Sequence, residues 1–82
     1  MNWTKYRRTN LAEMRPVTQE DIKYYKIHNQ LLVEDEIEIS ISEPDLLNGS
    51  PKIGDMIARN PKSYADQWLV AKDYFRSNFE EI

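Results

Sequence analysis

The sequence predicts an α+β fold, a small antiparallel β-sheet packed by one C-terminal amphipathic α-helix. Two observations carry this prediction. Ile37, Ile39 and Ile41 alternate strictly with Glu36, Glu38, Ser40 and Ser42, the period of a strand with one buried face. Further on, Tyr64, Trp68, Ala71, Phe75, Phe79 and Ile82 recur at helical spacing through a stretch without Gly or Pro.

In chain order, residues 1–10 read as a loose basic arm, and Ala12 to Val17 alternate as a strand in which Pro16 must lie at an edge or an end, because it has no N–H to donate. Thr18-Gln19-Glu20-Asp21 offers a helix start, which the β-prone run Ile22 to Ile27 contradicts, so periodicity does not choose between strand and helix over 21–33. Residues 36–42 form the clearest strand. Ser42-Glu43-Pro44-Asp45 matches a capping box, and Gly49 falls where a short helix needs a left-handed residue, giving about one helical turn over 43–48. Met56-Ile57-Ala58-Arg59, entered through Gly54-Asp55 and closed by Asn60-Pro61, reads as a second strand antiparallel to the first. Ser63-Tyr64-Ala65-Asp66 reads as a second capping box opening a helix over 64–80. Its aromatic stripe then lies against the three isoleucines and leaves the carboxylates of Glu36 and Glu38 outside.

With 82 residues, no Cys and 40% hydrophobic composition, the chain has room for a single small domain over 1–82. A domain of this size buries only about 60–65% of its unfolded surface, so its margin of stability is thin and self-association is expected. The absence of Cys excludes disulfides and thiolate zinc sites. The longest apolar run, Trp68 to Ala71, is far below a membrane span, and no signal segment opens the sequence, which points to a cytoplasmic location in a host cell.

Charge is polarised along the chain. Residues 1–30 carry six basic and three acidic side chains, residues 31–48 carry six acidic and no basic ones, and the remainder is balanced. Such asymmetry bears on association more than on fold, and a charge run most often coats a solvated face.

Gly49-Ser50-Pro51-Lys52-Ile53-Gly54-Asp55-Met56-Ile57-Ala58-Arg59-Asn60-Pro61, with Asp66 to Lys72, Tyr74-Phe75 and Asn78-Phe79-Glu80, resembles small accessory proteins encoded by tailed phages and prophages. Ala12 to Pro16 and Ile39 to Ser42 fit the same pattern, whereas residues 21–36 look like an insertion. The resemblance implies an origin and no activity, and it assigns no site residue.

Several chemistries are set aside. Gly49 and Gly54 give half of a phosphate-binding loop, but Asp55-Met56 replaces its Lys-Ser/Thr. His28 is the only imidazole, so a multi-histidine metal site within one chain is impossible, and no catalytic constellation is legible. The carboxylates of Glu34 to Glu38 lack the glycine-containing loop of an EF-hand. No enzyme, cofactor or metal is expected.

Three functions remain. The first is a non-enzymatic accessory protein that binds, and thereby inhibits or redirects, a host protein through an acidic strand face of Glu34, Glu36 and Glu38 with Asp45 nearby. The second is nucleic-acid binding by the basic and aromatic N-terminal third, with Trp3, Lys5, Tyr6, Arg7, Arg8, Lys23, Tyr24, Tyr25 and Lys26 as contacts. The third is a homo-oligomeric assembly protein whose basic and acidic blocks meet between subunits.

Overall fold

A computed structural model describes residues 3–7 and 11–81, with the side chains of Tyr6, Arg7, Leu11, Glu80 and Glu81 outside the description. The fold is α+β. Strands β1 (Thr4–Arg7), β2 (Leu11–Pro16), β5 (Met56–Asn60), β6 (Ser63–Val70) and β7 (Glu80–Glu81) form an antiparallel sheet in the order β6-β5-β2-β1-β7. Helix α1 (Gln19–His28), the hairpin of β3 (Leu31–Leu32) and β4 (Glu38–Ile39), and the short helix α2 (Glu43–Leu47) lie between β2 and β5. Helix α3 (Lys72–Asn78) follows β6.

Alternation along the central strands gives the sheet two apolar faces, because successive side chains of a strand point to opposite sides. Ala12 and Met14 of β2, Met56 and Ala58 of β5 and Val70 of β6 form one buried cluster, covered by Phe75 and Phe79 around α3. Ile57 forms the other with Val17, Leu31, Val33 and Ile41, flanked by Trp3, Ile22, Tyr25, Ile37, Ile39 and Leu69. The isoleucines are therefore core, as the alternation predicts, but the aromatic helix is not what covers them. Phe75 and Phe79 lie across the sheet, and Trp68, on β6 opposite Ala58, is 38% exposed.

The expected helix over 64–80 is a strand followed by a helix. Residues 63–70 are strand, with Ser63 and Gln67 to Val70 opposite residues of β5, and only Lys72–Asn78 is helical. The Ser63 to Asp66 motif therefore caps nothing. The expected strand over 36–42 shortens to Glu38–Ile39, paired with β3 rather than with Met56–Asn60. Residues 4–7, expected in a loose arm, pair with β2, whereas residues 1–2 and 8–10 lie outside the described residues.

The ambiguous stretch after Val17 becomes helix because its cap closes completely. Thr18 Oγ1 accepts the Asp21 backbone N–H at 3.2 Å and the Asp21 carboxylate accepts the Thr18 N–H at 2.8 Å. Two orphan donors of the first turn are thus satisfied reciprocally. Asn29 ends the helix at φ 60° and donates its N–H to the Tyr25 carbonyl.

Candidate functional site

Most charged groups in the interior are spent on holding the fold. Arg15, on the inner row of β2, donates Nη1 and Nη2 to the two carboxylate oxygens of Asp21 at 2.8 and 3.2 Å, and both residues are buried. Burial pushes the Asp21 carboxyl up, but the Arg15 hydrogen bonds and charge, together with the Thr18 donors, outweigh it and hold its pKa below the ordinary 3.8. One bidentate pair therefore ties the sheet to the first turn of α1.

Two register positions along from Arg15, on the same face of the sheet, Lys5, Glu13, Arg59 and Gln67 stand opposite one another across β1, β2, β5 and β6. Arg59 donates Nε to Glu13 at 2.8 Å, and its guanidinium lies 4.2 Å from the Trp3 ring and 3.8 Å from the Tyr64 ring. A planar cation between two rings gains from both faces, which an ammonium could not match. Gln67 closes the row by donating Nε2 to the carbonyls of Tyr64 at 2.8 Å and Glu34 at 3.2 Å.

That last bond anchors the tip of the β3–β4 hairpin. Val33 donates its N–H to the Ile37 carbonyl at 2.8 Å, closing a loop whose 3₁₀ turn is Glu34–Glu36. Asp35 and Glu36 both occupy the left-handed region, at φ 61° and 59°. Neither is glycine; Asp tolerates this region through its short polar side chain, whereas at Glu36 left-handed backbone costs roughly 1–2 kcal/mol. The acidic block is therefore no flat strand face. Strand alternation, which puts Glu34, Glu36 and Glu38 on one side and Asp35 on the other, does not apply to a turn.

The predicted contact residues separate accordingly. Glu34 is half-buried and its carbonyl is taken by Gln67, while Glu36 is exposed at the tip. Glu38 is exposed and accepts the Tyr24 hydroxyl at 2.7 Å, a bond that raises the Tyr24 pKa above its ordinary 10.0. Asp45 lies on α2 and accepts the Ser42 hydroxyl at 2.9 Å. Asp35, which alternation sets aside, stands beside Glu36 and is also exposed. The signal that could have found this turn is weak, because no Gly or Asn marks its left-handed pair.

The proposed nucleic-acid contacts do not converge either. Trp3 and Tyr25 pack against the isoleucine cluster, and Tyr24 stacks on His28 with ring centroids 4.1 Å apart. Lys5, Lys23 and Lys26 are exposed, whereas the side chains of Tyr6 and Arg7 and the whole of Arg8 lie outside the described residues. Of the rings that would stack on bases, Trp3, Tyr24 and Tyr25 are thus engaged within the fold.

Asp55, fully buried, accepts the backbone N–H of Lys52 at 2.9 Å and that of Lys72 at 2.8 Å. Among the described residues no group of three or more His, Cys, Asp or Glu is placed to hold a metal ion, and no helix is long and apolar enough to cross a membrane. No known protein family, curated protein or solved structure matches this chain.

Proposed function

We propose that the protein is a non-enzymatic binding module, of the phage accessory kind its sequence resembles, which engages a basic surface of a host protein through the hairpin tip at Asp35 and Glu36. The observation that carries this reading is the pair of consecutive exposed acidic residues in left-handed backbone. Strain of this kind persists only where surrounding structure over-determines it, and it concentrates at binding and switch regions. Here the surroundings are the Val33 to Ile37 closure and the Gln67 bond to the Glu34 carbonyl.

The charge balance supports the same reading. Arg15, Arg59, Asp21, Glu13 and Asp55 are occupied internally, whereas Asp35, Glu36 and Glu43 face solvent within a segment that has no basic residue. Such a tip steers toward positive charge and is screened by salt. Affinity capture from host lysate should recover a partner at low salt with the wild type and lose it with the double variant Asp35→Lys, Glu36→Lys. Recovery that is unchanged in the double variant would remove the tip from the interface.

A further inference from the structure

The outer side of β6 is an open sheet edge. Its inner side pairs with β5, and among the described residues no strand lies on the other side. The ladder also breaks near its start. Arg59 stands opposite Gln67 while the next residue, Asn60, stands opposite Ser63, so Tyr64, Ala65 and Asp66 face no residue of β5. The five residues from Lys62 to Asp66 are all exposed. Exposed edges are templates for further pairing, and natural proteins commonly protect them with bulges or charges. A charge protects only when the approaching strand does not complement it.

Lys62, the turn residue just before β6, and Ser63-Tyr64-Ala65-Asp66 at its start form a segment that does complement itself. Its basic and acidic ends lie two residues on either side of Tyr64, so running the segment antiparallel to a second copy sets each Lys62 against an Asp66. A parallel alignment would set like charges together. Among the described residues neither the Lys62 ammonium nor the Asp66 carboxylate is in an ion pair. Tyr64 is 45% exposed even with Arg59 stacked on its ring, and Trp68 further along the edge is 38% exposed. A two-fold axis at Tyr64 makes the contact isologous, the symmetry of most soluble dimers.

We propose that two copies of this chain associate across a two-fold axis along the outer edge of β6, Lys62 of each copy facing Asp66 of the other beside the paired Tyr64 rings. Opposed charges on neighbouring strands attract and like charges repel, and the symmetry counts every change twice.

The test is the mass of the full chain by sedimentation equilibrium from about 10 µM to about 1 mM at low salt, a range suited to a weak dimer. The wild type should approach twice the monomer mass. Lys62→Asp and Asp66→Lys should each weaken association at least about tenfold, as expected when two attractive pairs become two repulsive ones. The double variant Lys62→Asp, Asp66→Lys should restore it, with circular dichroism confirming that all four proteins are folded. A wild type that stays monomeric, leaving the edge to water or to a foreign strand, overturns the proposal. So does a dimer indifferent to the single reversals, or a double variant that fails to recover. All three variants leave Asp35 and Glu36 intact, so this outcome is separable from capture of a host partner.

Discussion

The carboxylate of Asp55 caps α3 from 17 positions earlier in the chain, its Oδ1 accepting the backbone N–H of Lys72 at 2.8 Å. The residue that precedes the helix, Ala71, has no side-chain acceptor of its own. The same carboxylate accepts the Lys52 N–H, and the Asp55 backbone carbonyl accepts the Val17 N–H at 2.9 Å. One buried residue therefore fastens the turn before β5, the end of β2 and the start of α3. Asp55→Ala strands two half-buried backbone donors and should cost about 1–3 kcal/mol, with Asp55→Asn losing less because one acceptor oxygen remains. Urea unfolding followed by far-ultraviolet circular dichroism checks the order of the three proteins.

Arg15 and Asp21 give a prediction in pH. The folded-state pKa of Asp21 lies below its ordinary 3.8, so its contribution to stability is full above that value and is lost as pH falls through the folded value. Stability measured by denaturant titration should decline in the acid range below about pH 4, and Asp21→Asn should flatten that part of the profile. At neutral pH the same substitution should cost about 3–5 kcal/mol, because the Arg15 guanidinium stays buried without its counter-charge.

Arg59 between Trp3 and Tyr64 should resist replacement by Lys. The ammonium keeps the charge beside Glu13 but loses the planar stack on both rings, for a cost of about 1–2 kcal/mol. In a Trp68→Phe background the remaining fluorescence comes from Trp3 alone, and its emission should shift in Arg59→Lys.

Glu36→Gly should stabilise the protein by about 0.5–1 kcal/mol, since glycine enters the left-handed region freely and this gain exceeds its entropic cost. Glu36→Ala keeps the backbone penalty and should give no such gain. Thermal melting of the two variants separates the backbone effect from the loss of charge.

Gly54 sits at φ 105°, and a Cβ there would lie 2.6 Å from Lys72 Cδ. Gly54→Ala should destabilise by about 1–3 kcal/mol from backbone and steric terms together. Removing the obstructing side chain with Lys72→Ala should recover only the steric share, which a double-mutant cycle measures.

Much of the fold is legible where the signal is local. The strand at Ala12 to Val17, the strand at Met56 to Arg59, the one-turn helix before Gly49 and the inward isoleucines all follow from neighbouring residues. The cap at Thr18 is visible as residues three apart, but the β-prone run Ile22 to Ile27 behind it leaves strand and helix undecided in the sequence.

The strand β6 is not legible, for two physical reasons. Trp68, Ala71, Phe75 and Phe79 fall at helical spacing across what is in fact a strand end and a helix, and no Gly or Pro marks the change. The group that starts the helix is Asp55, outside any local window. The site is hidden for a similar reason. Glu13 and Arg59 meet across 46 positions, and the hairpin tip takes its left-handed turn from tertiary anchoring through Gln67.

The two-sided sheet has a consequence for how the molecule comes apart. Met14 and Arg15, like Met56 and Ile57, are sequence neighbours whose side chains serve opposite layers. Fraying of β2 or β5 therefore withdraws support from above and below at once, and neither layer can melt while the other stays native. For so small a chain this fuses two modest cores into one cooperative unit, whose slowest-exchanging amides are expected in those two central strands.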